Sequence, residues 1–346
     1  MKIRSLLLTV LIFLFGFLLI IMPDVGREGV TNGILLCGRV IIPSLFPFTM
    51  CVIFILNSAV INQLKFLSPV TKKLLGLNYY EFSLFLLSLV GGYPIGAKLL
   101  DEAVKNKVIL PEKAEVMLRC CINAGPAFII SAVGKTVFGS PKIGTLLFCT
   151  HITASLIICI FSAKKSTAEP TYPDNPPPSF ADNFVQSAAT ASSSLISICG
   201  FVILFSAINP YLLYFAKKIP ILKIFALLLE ITNALSSVRN IYLISFLLGF
   251  SGVCIWCQVM SAFKSVKINY VKFAVFRITH GILSSLLTFL SIRIFGISIP
   301  AVSHTLSYKP FYSTPAVAIS LFVLAIVFAV SLTSKKINCK LSEDVI

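Results

Sequence analysis

An all-α, polytopic membrane fold is predicted by three features: repeated apolar runs of about bilayer length, a scarcity of charge, and cations gathered in short segments between the runs. Of 346 residues, 57% are hydrophobic and 12% are charged, with a mean hydropathy of +0.95. Soluble domains carry about twice that share of charge. The 29 Lys and Arg against 13 Asp and Glu leave a formal charge of +16, a balance that nucleic-acid binders also show. The apolar runs argue against that class, and the interspersed cations match the cytoplasmic excess that sets topology.

The ten cysteines do not read as a disulfide framework. Cys51, Cys120, Cys121, Cys149, Cys159, Cys199, Cys254 and Cys257 all fall in apolar stretches. Cys254 and Cys257 form a CxxC, but no second pair or His cluster accompanies it, so no metal, redox site or cofactor is expected.

Along the chain, residues 1–38 hold Lys2 and Arg4, an apolar run from Ser5 to Met22, and a short amphipathic stretch with Arg27 and Glu28. The run is long for a signal-peptide core and has no small-residue cleavage site after it, so it reads as a transmembrane helix. Residues 39–165 form a first repeat. Here an apolar run from Val40 to Val60 is interrupted by Pro43 and Pro47, which predicts a broken or kinked entry. Phe82 to Val90 then runs into Gly91-Gly92-Tyr93-Pro94, too short to span alone, and predicts a re-entrant or discontinuous helix. Apolar segments from Val116 to Val137 and Ile143 to Ala163 follow.

A Pro-rich linker occupies residues 166–183, a second repeat residues 184–334, and a basic tail residues 335–346. The second repeat has apolar runs at Leu195–Phe215, Ile219–Leu235, Ile241–Phe263, Phe273–Phe295 and Ala316–Leu332. Placing the basic segments on one side gives about eight full crossings, with the remaining apolar pieces re-entrant or interfacial.

The halves resemble one another. LSLVGGYPIGAKLLDEAVKN aligns with FLLGFSGVCIWCQVMSAFKS, Leu87 falling over Leu247, so that Gly92 lies over Gly252 and Lys98 over Gln258. With a small gap Arg119 falls opposite Arg277, each followed within two turns by Gly125 or Gly281. Paired interruptions in two halves are the sequence pointer to a transporter with its site at the repeat interface. A helix interrupted at Gly91-Gly92 or at Gly125-Pro126 presents N–H groups and a positive dipole end where no water competes, an arrangement suited to carboxylate or phosphate. Candidate binding residues are therefore Gly91, Gly92, Tyr93, Pro94, Gly96, Lys98, Arg119, Asn123, Gly125, Pro126, Ser251, Gly252, Gln258 and Arg277.

Ionisable residues in or beside apolar runs call for a partner or an aqueous cavity, or else snorkel to an interface. Glu230 is the lone acid of IFALLLEITNALSS, with Thr232 and Asn233 beside it, and fits either a structural pair or ion coupling. His280 fits either a helix-packing hydrogen bond, the favoured reading, or proton relay, while His151 and His304 receive no role. No nucleophile elbow, Walker loop, H-E-x-x-H or intramembrane carboxylate pair is present, so a carrier is expected rather than an enzyme.

IIPSLFPF, GGYPIGAK, the helix carrying CINAGP, LEITN, and GFSG followed by FRITHG occur in that order over nearly the whole chain. In these strings the sequence resembles the YlbJ-like sporulation integral membrane proteins, relatives of the nucleoside-recognition or gate-domain family. The resemblance implies a protein of the outer forespore membrane that helps move dipicolinic acid, a small aromatic dianion, during endospore formation. The second half departs from the first, with Ser251-Gly252-Val253-Cys254 in place of Gly91-Gly92-Tyr93-Pro94. A nucleoside or other neutral-solute carrier, relying on Asn123, Asn233 and Gln258, is the alternative cargo class. A non-transporting membrane scaffold that recruits a sporulation partner is the alternative role, and a homo-oligomer or other sporulation membrane proteins are the further partner classes. The expected partners are lipid and a small anion, with no nucleic acid.

Overall fold

The computed structural model describes residues 2–162, 178–232, 235 and 238–299, and these are predominantly helical, with no strand among them. The expected crossing at 316–332, the basic tail, His304, Asn233 and most of the Pro-rich linker lie outside the described residues.

The first apolar run forms α1, Lys2–Ile21. Pro23 then starts α2, Pro23–Leu36, where its missing N–H costs nothing. The expected broken entry at Pro43 is a bulge instead of a break. A π-helical turn, Cys37–Ile41, joins α2 to α3, Ile42–Leu56, so that one helical run of 34 residues extends from Pro23 to Leu56. At the end of this wider turn the Ile42 amide donates to the Cys37 carbonyl, five residues back, immediately before Pro43.

A 3-10 segment, Ala59–Leu67, leads to α4, Ser68–Leu75, which ends on Gly76 in the left-handed conformation. Next comes α5, Tyr79–Gly91, bent by 82° from the preceding helical stretch. A capping box starts it: Asn78 accepts from the Glu81 amide and Glu81 accepts from the Asn78 amide, both at 2.9 Å. After Gly92, Tyr93 and Pro94 the chain resumes as α6, Ile95–Lys105, and α7, Pro111–Leu118. The expected helix over Val116–Val137 is discontinuous: residues from Arg119 to Gly125 are irregular, and a π-helical segment follows at Ala127–Val137.

The long helices α8, Pro141–Ser162, and α9, Phe180–Ala216, come next. They lead to α10, Ile221–Leu229, which stops at Glu230. In the second half α11, Ile241–Phe250, and α12, Val253–Ala262, flank Ser251-Gly252, and α13, Tyr270–Phe295, is continuous. By length and composition five helical runs of the described residues suit a membrane crossing, or six if the bent pair at Ala59–Gly91 is one span. The shorter apolar helix Thr9–Ile21 adds to these.

Small residues set the closest helix crossings, as they do where lipid gives no hydrophobic drive for association. On α2, Gly29 and Gly33 meet α9 backbone at Ser206, Ala207 and Ile203. Between α11 and α13, a β-carbon on Gly249 would lie 2.6 Å from the Gly281 amide nitrogen. Thr288 of α13 bonds Thr150 of α8 and Ser245 of α11, each at 2.9 Å, so three helices share one buried hydroxyl cluster.

Candidate functional site

Each half contributes a helix broken at a glycine, and each break rests on a second unwound segment. Gly92 has φ +71°, a conformation glycine adopts freely, and its backbone lies against Gly125. A β-carbon there would come within 2.9 Å of the Gly125 nitrogen. In the second half Ser251 and Gly252 have φ +76° and +78°. Gly252 abuts Leu228, Leu229 and Ile231, where α10 stops and Glu230 turns extended at φ −143°, ψ 119°. The chain order is reversed between halves: the glycine break precedes its partner segment in the first and follows it in the second.

Unwinding Arg119–Gly125 strands backbone groups that a membrane interior cannot solvate. Side chains from two neighbouring helices satisfy them. Arg277 of α13, fully buried, donates Nη1 to the Ile122 carbonyl and Nη2 to the Arg119 carbonyl, both at 2.6 Å. Ser155 of α8 and Asn123 each donate to the Cys120 carbonyl at 2.7 Å. The Ala124 amide donates to His151 Nε2 at 3.1 Å.

His151 and His280 stack with ring centroids 4.4 Å apart, both inaccessible to solvent. Since the His151 carbonyl can only accept, His280 Nε2 carries the proton of their 3.1 Å contact. His280 thus hydrogen-bonds across the helix packing, and His151, assigned no role in the sequence analysis, is a backbone partner of the unwound segment.

A pocket of about 600 Å³, counting its open side, lies where the two halves meet. Gly92, Tyr93 and Gly125 supply the first half's share of its wall, and Glu230, Thr232, Ile255 and Gln258 the second's. Ser44 of α3 adds a hydroxyl, and most of the remaining lining is aliphatic, including Val202 of α9. The Thr232 amide donates to Glu230 Oε1 at 3.1 Å, and the Thr232 hydroxyl bonds Oε2. Gln258 Nε2 reaches Cys254 Sγ at 3.4 Å, and the buried Tyr93 hydroxyl has no hydrogen-bond partner.

The predicted cationic lining is elsewhere. Lys98 Nζ lies 2.8 Å from Glu102, one turn along α6, and not on the pocket wall. Arg119 stacks on Phe276, 4.7 Å from guanidinium to ring centre. Arg277 gives Nη1 and Nη2 to backbone carbonyls, while its buried Nε has no hydrogen-bond partner. Gly91, Pro94 and Gly96 position the α5–α6 turn: Gly96 packs so tightly that a β-carbon would lie 1.8 Å from the Cys121 carbonyl oxygen. Pro126 caps the π-helical segment, Ser251 and Gly252 shape the second break, and Asn123 stays within the unwound segment. Among the described residues, then, the pocket wall carries a carboxylate and no lysine or arginine. The alignment of Arg119 with Arg277 places one at the end of α7 and the other inside the continuous α13.

One further contact ties the halves together away from the pocket. Asp101, near the loop end of α6 and outside the spans, accepts from the Lys264 and Ser265 amides at 2.7 Å each and pairs with Lys105 at 2.7 Å. Burial pushes its carboxyl up, but the hydrogen bonds from Lys105 and from Ser265 and Lys264 outweigh this and hold it below the usual carboxylate range.

This arrangement defines a class: a polytopic α-helical integral membrane protein with broken helices from both halves around a shared pocket. The chain is YlbJ-like. It is 23% identical over 339 residues to the "Sporulation integral membrane protein YlbJ" of Bacillus subtilis (strain 168), covering 84% of this chain and 83% of that protein. No family profile matches the chain, and no solved structure matches it.

Proposed function

We propose that this protein is a sporulation membrane transporter that carries a small organic acid, dipicolinic acid as its resemblance implies, through the pocket between its two halves, without chemical change. The site of action is then the outer forespore membrane. The observation that carries the reading is the meeting of Gly92-Tyr93 and Gly125 with Glu230 and Gln258 at one pocket. Broken helices from two halves around a shared cavity are the architecture of alternating-access carriers, in which one half rocks against the other around a fixed site. Its mostly aliphatic walls suit a flat aromatic ring. The broken ends before α6 and α12 offer amide groups to carboxylates in place of the cations that lie elsewhere.

A neutral solute is the second reading, and the placement of Gln258 and Thr232 on the pocket wall favours it. Both readings are tested by deleting the protein in a spore-forming host and restoring it as wild type, Ile255→Trp or Lys98→Ala. Spore dipicolinic acid and membrane abundance are then measured. Ile255→Trp fills the pocket and is expected to abolish accumulation at normal abundance, whereas Lys98→Ala restores it. Full restoration by Ile255→Trp at normal abundance overturns transport through this pocket. Normal dipicolinic acid in the deletion strain itself leaves the neutral solute as cargo.

A further inference from the structure

The two helices that follow the glycine breaks run side by side from the pocket to a fastening. α6 follows directly on Gly92 and Tyr93, α12 carries Ile255 and Gln258, and these four residues all line the pocket. The two helices pack against each other. Beyond the pocket, Asp101 of α6 accepts the Lys264 and Ser265 amides, just past the end of α12, at 2.7 Å each. At 1.5 Å of rise per residue this contact lies about 10 Å from the pocket wall along either helix.

The carboxylate is divided between the halves. Its Oδ1 takes both amides of the second half, and its Oδ2 faces Lys105, a turn along its own helix, at 2.7 Å. Lys105 thereby aims Oδ1 across the interface. Each helix also has a joint at its pocket end: Gly92 at φ +71° before α6, and Ser251 and Gly252 at φ +76° and +78° before α12. A few non-helical positions at the end of an element are where a swing about a hinge is absorbed.

Resting on the transport reading above, we propose that Asp101 is the latch of a gate on the side of the 264–269 loop. While it holds the Lys264 and Ser265 amides, α6 and α12 stay together and shut the pocket from that side. When it lets go, the two helices part about the Gly92 and Gly252 joints, and the pocket opens to the loop.

Its position suits Asp101 for release. Lys264 and Ser265 are exposed and lie outside the spans, so water replaces the carboxylate as their partner when the contact breaks. The other long-range tie, from Arg277 to the Arg119 and Ile122 carbonyls, is buried where nothing replaces it. Release at Asp101 therefore leaves no buried backbone group stranded, and the same three partners re-form the latch.

The test uses the full chain in vesicles of known orientation, with Ile255→Cys as a reporter on the pocket wall. A membrane-impermeant maleimide is added from the loop side, and labelling at position 255 is read by peptide mass spectrometry, apart from the native cysteines. Loss of two hydrogen bonds to a charged acceptor is expected to raise loop-side labelling at least about tenfold in Asp101→Ala. Asp101→Asn, which keeps an oxygen acceptor, is expected to stay within about threefold of the unmutated latch. Labelling of the buried Cys120 is expected not to move, and a rise shared by Cys120 is general loosening and overturns the gate. Unchanged loop-side labelling in folded Asp101→Ala overturns it as well. Hydrogen exchange needs no variant: in the wild type the Lys264 and Ser265 amides are expected to exchange at least about tenfold slower than in an unstructured peptide. Exchange at the free-peptide rate overturns the latch even where Asp101→Ala fails to fold. Dipicolinate uptake by wild-type vesicles judges the transport reading separately. A folded wild type that takes up none overturns that reading and the gate's purpose with it, whereas uptake with unlatched amides overturns the gate alone.

Discussion

Replacing Arg277 by methionine tests whether this buried cation serves the backbone or the cargo. The side chain is fully inaccessible, and its two Nη groups donate to the Arg119 and Ile122 carbonyls at 2.6 Å each. A hydrogen bond from a charged donor contributes about 1.5–3 kcal/mol, and a buried acceptor left without one forfeits it, so Arg277→Met costs about 3–6 kcal/mol. Methionine has similar bulk, so a cavity adds little to that figure. Lysine keeps the charge but offers a single ammonium, which reaches one carbonyl well, and its cost falls between wild type and methionine. For a protein of this size the methionine variant's thermal midpoint in detergent is expected to fall by on the order of 10 °C, with lysine between. Thermal unfolding followed by a thiol-reactive dye reads this directly, since most of the described cysteines are at least partly buried. A midpoint within about 2 °C of wild type for Arg277→Met, beyond the scatter expected of a surface change, refutes the assignment of Arg277 to the unwound segment. Loss of transport with that stability intact would return the residue to the cargo site.

Gly249→Ala places a methyl 2.6 Å from the Gly281 nitrogen at the α11–α13 crossing and is expected to cost about 1–3 kcal/mol or more. Gly200→Ala on α9 meets nothing within 4 Å and is expected to gain about 0.5–1 kcal/mol. Equal thermal midpoints for the two variants would contradict the close crossing. For Asp101, the folded-state pKa is depressed, so its contribution is present above the unfolded carboxylate value of about 3.9 and disappears as pH falls through the folded value. Wild-type thermal stability should therefore drop more steeply below about pH 4 than that of Asp101→Asn, which keeps an acceptor for the Lys264 and Ser265 amides but cannot titrate. Parallel pH profiles for the two would remove Asp101 as the titrating tie between halves.

The membrane class was legible because length and apolarity are local properties, and the glycine breaks because positive φ leaves a compositional trace. Gly92 and Gly252 stand at matching places, and both are interruptions in the structure. The break at Glu230 had no such trace. LLLEIT contains neither glycine nor proline, and the helix stops there because the extended backbone lets the Thr232 amide and hydroxyl turn back onto the glutamate, beside Gly252. That stop depends on a contact between segments about 20 residues apart, which hydrophobic periodicity does not encode. At the prolines the helical run is not broken: a π-helical turn precedes Pro43, and Pro47 lies inside the helix that follows.

The charges divide along the same line. The partner of Lys98 stands four residues ahead of it, so Glu102 was readable as a helix pair from sequence alone. The partners of Arg277 lie 155 and 158 residues away and are carbonyls, which every residue possesses and no composition reveals. A buried cation in a membrane helix must satisfy its donors somewhere, and in this chain the nearest demand comes from the segment that had to unwind. Unwinding that segment allows Gly125 to approach Gly92, and their approach forms one wall of the pocket. Arg277 therefore shapes the pocket through the unwound segment without lining its wall.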